Sequence, residues 1–490
     1  MKKSIILSLL FLFTISISAQ NDVEKVKSTV SKSEIEGHIY FLASDELKGR
    51  QTGSLENKIA AQYLANMLRG YGVQPIPETT SYLQNVDLKK TSGATKTEFK
   101  TGALVLNKIA AFIPKNANYK GKAVFLNYGL EEDYNTVDVK GKYVITIIGS
   151  KENKEIRPAF SKTREKMKLA KQKGALGIIE ICNVDDRLWT RIEHNLNGEK
   201  MSIADHNKND SDNFSHVWIN DKKEDISKLF ATNKEIDIEF TIEGIKKSTV
   251  TSQNVVGYVE GTDPKLKNEY IIYSAHYDHV GIGKAVENDS IYNGARDNAV
   301  GTVTVLSAAE NIAKYPTKRS ALFILFTGEE KGLLGSKWYV DHPVIPLRQM
   351  VYCFNSDNGG YNDTTLATII GLSRTTAQKD IEDAATTFGL KAIDDPAPQQ
   401  GLFDRSDNVN FAAKGIPAPT FSMGFTAFDE EITKYYHQVT DNPDTLDYDY
   451  LFKFFQSYVL ACRNIANNET TPFWVEGDKY YEAGKKLYKK

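Results

Sequence analysis

Cysteine is scarce: there are three in 490 residues, Cys182, Cys353 and Cys462, and none lies in a CxxC spacing. So sparse and odd a set excludes a disulfide framework and gives no support to a zinc–thiolate site. Cys353, inside an apolar run, is expected to be a buried and inert thiol. A basic excess is also missing. The 61 Lys and Arg against 63 Asp and Glu leave a net charge of −2, which does not suit nucleic-acid binding. No internal repeat is visible, and after the first twenty residues no apolar run approaches the roughly 20 residues of a membrane span.

The opening residues have a basic start at Lys2 and Lys3, an apolar stretch from Ile5 to Ile17, and small residues, Ser-Ile-Ser-Ala, at 16–19. That is the pattern of a secretion signal, residues 1–19, cut before Gln20. An exported protein, periplasmic or secreted, with no membrane span after cleavage, is therefore expected. No cysteine follows the cut, so no lipid anchor is expected there.

The length calls for two domains, and 41% hydrophobic residues suffice for ordinary cores. Residues 57–68 repeat apolar side chains at three- and four-residue steps, which predicts a helix stopped by Gly70 and Gly72. Residues 80–105 look strand-like. From 107 to 247 short β-runs alternate with helical stretches around a polar loop at 207–215. Here His194, His206 and His216 lack ligand-like spacing and are expected at surface or capping positions. From 253 to about 467 strand, loop and helix alternate regularly. Strands are expected near 254–260, 270–275, 321–327, 350–355, 366–371 and 417–422, and helices near 299–313, 375–388 and 447–465. Such alternation predicts an α/β fold, a mainly parallel sheet flanked by helices. The division is then 20–106 and 248–468 for the main domain, 107–247 for an insertion, and a Lys- and Tyr-rich tail at 469–490.

The chemistry gathers at expected strand ends, where open α/β sheets place their sites. His276 and Asp278 follow one apolar run, Glu329 and Glu330 another, and Asp357 a third; Asp297 lies between them and His437 downstream. Each alone has an ordinary reading: Asp297 as a helix cap, the paired glutamates as a solvated strand end, His437 as a partner for a loop carbonyl. Together they supply two imidazoles and three carboxylates. If Asp297 bridges, His276 and Asp357 complete one metal position, and Glu330 and His437 another. Two metals would acidify a shared water. Donors of this kind suit zinc, with manganese or cobalt as alternatives. Glu329 is then the group that moves protons, and Asp278 would fix the His276 imidazole through its other nitrogen.

The segments Ser-Ala-His-Tyr-Asp-His-Val-Gly (274–281), Gly-Ala-Arg-Asp-Asn-Ala-Val-Gly (294–301), Gly-Glu-Glu-Lys-Gly-Leu-Leu-Gly-Ser (328–336), Asn-Ser-Asp (355–357) and Tyr-His (436–437) resemble the co-catalytic dizinc aminopeptidases of metallopeptidase clan MH. Relatives of those enzymes include bacterial leucyl aminopeptidases, glutamate carboxypeptidase II, glutaminyl cyclases and transferrin receptor. The resemblance implies a zinc-exopeptidase-like phosphorylase/hydrolase fold and two zinc ions on His276, Asp297, Glu330, Asp357 and His437. It also implies Glu329 as general base, with Tyr436 either steadying an oxyanion or packing in the core. Arg405, Ser406 and Asp407 resemble a family segment near the site, so Arg405 and Asp407 are expected at the substrate. Asn358, where the family often has an apolar residue, and Arg296, where many relatives carry an acid, are departures expected to reshape the pocket. Residues 137–144 and 170–178 resemble a protease-associated domain, a smaller β-rich α/β insertion; residues 42–50, with Gly53 and Ser54, fit exported members that carry it. The expectation is an exported zinc aminopeptidase acting on peptides. The alternatives are a carboxypeptidase, with Arg405 as clamp for the terminal carboxylate, a glutaminyl cyclase, or a non-catalytic binding protein.

Overall fold

The computed structural model describes residues 21–489 apart from 108, 114, 136, 152–155, 205–213 and 233. The signal at 1–19 and His206 lie outside the described residues. The chain divides into two compact units. One comprises residues up to Asp87 together with those from Thr251 onward, and the other is Leu88–Val250.

The first unit is built on a sheet whose strands run, in spatial order, Lys391–Ile393, Leu366–Ile370, Thr420–Met423, Met350–Ser356, Tyr270–His276, Ser320–Phe326, Lys247–Val259 and Leu83–Thr91. The centre is parallel: Tyr270–His276 lies between Ser320–Phe326 and Met350–Ser356, with His276 level with Phe326. Antiparallel pairs flank it, Val255 to Val259 against Ala321 to Leu325 on one side and Ala367 to Ile370 against Thr420 to Met423 on the other. These strands read as unbroken apolar runs because both faces are buried. Successive residues point to opposite faces. Ala321, Phe323 and Leu325 enter one core, together with Leu306 of helix Gly301–Lys314 and Phe454 of helix Tyr448–Asn467. Leu322, Ile324 and Phe326 enter the other, with Tyr339 and Phe411. Each leucine, isoleucine and phenylalanine among them contributes about 1.5–3 kcal/mol on burial. A one-residue slip would exchange the faces, so the register that brings the strand ends level is strongly held.

The expected strands and helices from 253 to 467 are present to within about three residues, except that the first strand begins seven residues early, at Lys247. The segment expected as a tail packs into the fold over its described residues, 469–489. Trp474 is buried in the second core and donates Nε1–H to Gly415 O at 3.0 Å, and a helix spans Tyr481–Tyr488.

The second unit has an eight-stranded sheet with Glu235–Glu243, Ala117–Phe125, Tyr143–Ile147, Gly177–Cys182 and Ser215–Asn220 at its centre. It begins at Leu88 rather than 107, because Lys96–Thr101 pairs with Glu235–Glu243. His216 is neither exposed nor a cap. Its Nε2 lies 2.8 Å from Glu180 Oε1, while Lys166 Nζ lies 2.7 Å from Oε2, all three side chains being fully buried. All three cysteines are free and buried, and burial pushes the Cys353 thiol up to about 12.

Candidate metal centre

His276 is the last residue of its strand, Asp357 follows Ser356, and Glu329 and Glu330 come after Phe326 through Thr327 and Gly328. Three parallel strands thus deliver one imidazole and three carboxylates to one sheet edge. Asp297 arrives on the buried loop before helix Gly301–Lys314, and His437 on a loop where its own φ is +55°.

The two oxygens of Asp297 face different partners. Oδ1 lies 3.4 Å from His276 Nε2, which is 3.2 Å from Asp357 Oδ1. Oδ2 lies 3.0 Å from His437 Nε2, which is 3.3 Å from Glu330 Oε1. Glu329 Oε2 stands 4.0 Å from His276 Nε2. Among the described residues, two groups have donor atoms within 4.8 Å of one another: His279, Asp297, Glu330 and His437, and His276, Glu329 and Asp357. The imidazole of His279, three residues beyond His276, was not among the expected ligands. It places Nδ1 2.8 Å from Glu330 Oε1, yet neither of its ring nitrogens nor that oxygen has a hydrogen-bond partner of good geometry. Buried polar atoms left in this state are costly, and divalent cations would satisfy oxygen and nitrogen donors of this set. The residues fit the metal pair that the sequence implies.

The charges interlock. Burial pulls the His437 imidazolium down, but the Asp297 and Glu330 carboxylates against its ring outweigh it and lift its pKa to about 11. Burial and the Asp297 charge push Glu330 up, and the His279 and His437 contacts overcome both to hold it at about 2. Glu329 goes the other way: burial, resisted by His276 and reinforced by Asp357 and Glu330, raises it well above the carboxylate range. Adjacent glutamates are thus split in proton affinity.

These groups open on a cavity of about 450 Å³ that is also lined by Leu333, Gly359, Phe425, Ile432, Arg405 and Tyr436. The Tyr436 ring stacks on His437 at 4.2 Å, and its hydroxyl accepts from Arg405 Nη2 at 3.3 Å. Burial raises its pKa further above 10, so it keeps its proton.

Three expected pocket residues lie elsewhere. Asn358 is fully buried and off the cavity wall; it donates Nδ2–H to Asn298 Oδ1 at 3.1 Å and accepts from Met423 N at 2.8 Å. Asp407 is likewise fully buried and off the wall, and burial, resisted by His276, lifts it to about 7. Arg296 turns away from the cavity. Its guanidinium reaches Asp441 and Thr445 and lies 3.6 Å from the centroid of the Tyr435 ring. The Asp441 carboxylate in turn accepts the backbone N–H groups of Arg296 and Asp297, so this departure ties the Asp297 loop to the His437 loop.

Asp278 also differs from expectation. His276 Nδ1 faces the Asp278 backbone carbonyl at 3.2 Å, while the carboxylate is 3.9 Å away. That carboxylate accepts from Thr52 Oγ1 at 2.7 Å and Glu329 N at 3.1 Å. Nearby, the fully buried Arg50 donates Nε–H to Tyr277 O at 2.8 Å, Nη1–H to Leu42 O and to Asn293 O at 2.6 Å, and Nη2–H to Gly294 O at 3.0 Å. It joins the loops that bear His276 and Asp297. No short motif announces such a keystone, whose partners lie far away in sequence.

Residues 254–460 match the family model Peptidase family M28. Aminopeptidase YwaD of Bacillus subtilis is 29% identical over 323 residues, covering 64% of this chain and 60% of that protein. A probable leucine aminopeptidase 2 of Aspergillus oryzae is 33% identical over 97 residues, 20% of this chain and 17% of that protein. The chain thus spans less than two thirds of the length of these curated relatives. The fold is shared with an aminopeptidase from Aneurinibacillus sp. strain AM-1 (TM-score 0.63, 22% identity, 92% of this chain and 97% of that one). It is shared too with BSAP, a zinc aminopeptidase from Bacillus subtilis (TM-score 0.53, 20% identity, 90% and 97%). The stretch that carries this site, residues 254–460, thus resembles peptidase family M28.

Proposed function

We propose that this protein is an exported aminopeptidase that removes N-terminal residues from peptides, using two divalent cations, zinc by preference. The observation that carries the reading is Asp297, whose two oxygens face two separate imidazole–carboxylate pairs. Asp297 would bridge, with His276 and Asp357 holding one cation and Glu330 and His437 the other. Such cations, when bound, lower the pKa of water and polarise a carbonyl.

The protein's own groups supply the rest. Glu329, its proton affinity raised by burial, takes a proton from the attacking water and passes it to the departing amine. The Tyr436 hydroxyl on the cavity wall donates to the oxyanion that develops on the scissile carbonyl. Asp297 and Glu330, held as carboxylates, present negative charge to a cation and, at the cavity, to a substrate ammonium. The apolar wall of Leu333, Phe425 and Ile432 takes the terminal side chain. The second unit, read as a protease-associated insertion, carries no part of this constellation among its described residues. Among the described residues no helix is long and apolar enough to cross a membrane; the reading of export rests on the pattern of the first nineteen residues.

The test is turnover of free aminoacyl-p-nitroanilides beside N-acetylated copies, with and without chelator. Cleavage of the free amines alone, lost on chelation and restored by zinc, supports the reading. Inertness toward free amines with cleavage of N-blocked peptides at a free C-terminus would replace it by a carboxypeptidase that uses Arg405, the cation on the cavity wall.

A further inference from the structure

The segment Arg50-Gln51-Thr52 has no part in the chemistry above, yet each of its residues touches the loop that follows His276. Arg50 holds Tyr277 O, Gln51 forms a parallel bridge with His279, and Thr52 Oγ1 donates to Asp278 Oδ2 at 2.7 Å. Thr52 is 2% exposed and Asp278 is fully buried. The other oxygen of the same carboxylate receives the backbone N–H of Glu329 at 3.1 Å. The carboxylate therefore spans from a hydroxyl on the N-terminal segment to the peptide that carries Glu329, and stands 3.9 Å from the His276 ring, beyond hydrogen-bond distance. Glu329 enters from Gly328 at φ +73°, where a Cβ would stand 3.1 Å from Leu334 Cβ and 3.5 Å from Thr52 Cγ2. Thr52 thus lies against both the carboxylate and the turn.

We propose that Thr52 is a positioning residue for Glu329: by holding one oxygen of Asp278 it keeps the other on the Glu329 amide, and so fixes the Glu329 carboxylate over the cavity. This rests on Glu329 being the proton-transfer group. Without the hydroxyl, Asp278 keeps one buried oxygen unpartnered and is free to rotate, and the turn loses its anchor. Small misplacements of a reacting group are expensive in rate, and loss of outer partners at metal sites lowers activity or affinity about 10- to 100-fold.

The experiment compares Thr52→Val, which keeps the shape and removes the hydroxyl, with Thr52→Ser, which keeps the hydroxyl. Three quantities are read: kcat and KM at saturating zinc, hydrogen exchange of the Glu329 amide in metal-free protein, and zinc affinity by chelator competition. Thr52→Val is expected to lose about 10-fold or more in kcat, with KM and zinc affinity within a factor of about three. Its Glu329 amide should exchange faster, and Thr52→Ser should recover both. Weakened zinc binding with unchanged kcat would overturn the proposal, since Thr52 would then act on His276. An impaired serine variant beside a valine variant that works normally would overturn it too, by making methyl packing the cause. If wild-type protein cleaves no free-amine substrate, the proposed activity fails, while the amide exchange rates still decide whether Thr52 holds the Glu329 peptide.

Discussion

Arg50 offers the sharpest stability test of how the centre is held. Its side chain is fully buried and meets four backbone carbonyls, on Leu42, Tyr277, Asn293 and Gly294, through three nitrogens of one planar fork. Lysine in its place would bring three donors on a single nitrogen and could not reach all sides of that ring of acceptors. Leaving two carbonyls unpartnered costs about 1–3 kcal/mol each, so Arg50→Lys is expected to lose about 2–6 kcal/mol. Arg50→Met abandons all four. It also removes the cation that faces Asp278, Asp297, Asp441 and Glu330, whose charges work against the burial that draws Arg50 down to about 10. Its loss should exceed that of the lysine variant and threaten folding, since domains carry only about 5–15 kcal/mol in all. Urea unfolding of metal-free protein, followed by fluorescence of Trp338 and Trp474 in wild type and in variants that lack the tryptophans of the second unit, isolates the relevant transition. A shift below about 1 kcal/mol for both variants would refute the reasoning, because buried carbonyls would then have found other partners.

Three further outcomes are expected. Glu329→Gln keeps the shape of the side chain and leaves Asp297, Glu330, Asp357, His276 and His437 in place, so it should bind wild-type zinc while turnover falls about 10²- to 10⁴-fold; full turnover would remove Glu329 from the mechanism. Asn358→Leu should destabilise by about 1–3 kcal/mol per lost bond to Asn298 and Met423 and leave KM unaltered, since the residue is off the cavity wall; a changed substrate preference in the kinetic panel would contradict this. Glu310 is lifted to about 6 by burial and then by the nearby Glu34, with Lys314 and His38 opposing. A carboxyl whose folded pKa is raised contributes stability that is present below its unfolded value, near 4.5, and is lost as pH rises through about 6. Glu310→Gln should therefore stabilise at pH 8 by less than about 1 kcal/mol, because the site is partly exposed, and change nothing at pH 4. An equal effect at both pH values would contradict the assignment.

The sheet, and the gathering of His276, Glu329, Glu330 and Asp357 at its strand ends, were legible because their signals are local. Strands such as Tyr270–His276 and Ser320–Phe326 are buried on both faces, so their sequences are continuous apolar runs. Polar residues that break off at the ends of such runs mark a sheet edge. His279 lies inside the 274–281 segment, and only three-dimensional placement shows its ring beside Glu330. What could not be read depends on partners far apart in the chain: Arg50 against residues 277, 293 and 294, Thr52 against Asp278, Arg296 against Asp441. The same holds for Asn358 and Asp407, where a polar residue near a motif looked like a pocket residue and proved to be buried. The last twenty residues misled through composition. Their lysines and tyrosines suggested a tail, whereas Trp474 is buried in a core with Phe473, Tyr480 and Tyr481 packed beside it, and Asp478 pairs with Arg374.

The most direct test is the number of metal ions bound per chain, measured by mass spectrometry of the purified protein alongside turnover during stepwise zinc addition to the metal-free form. Two ions per chain are expected, with activity completed as the second binds, and Asp297→Ala should retain neither at micromolar zinc. One ion at full activity, or a full complement in Asp297→Ala, would contradict a centre built around a bridging Asp297.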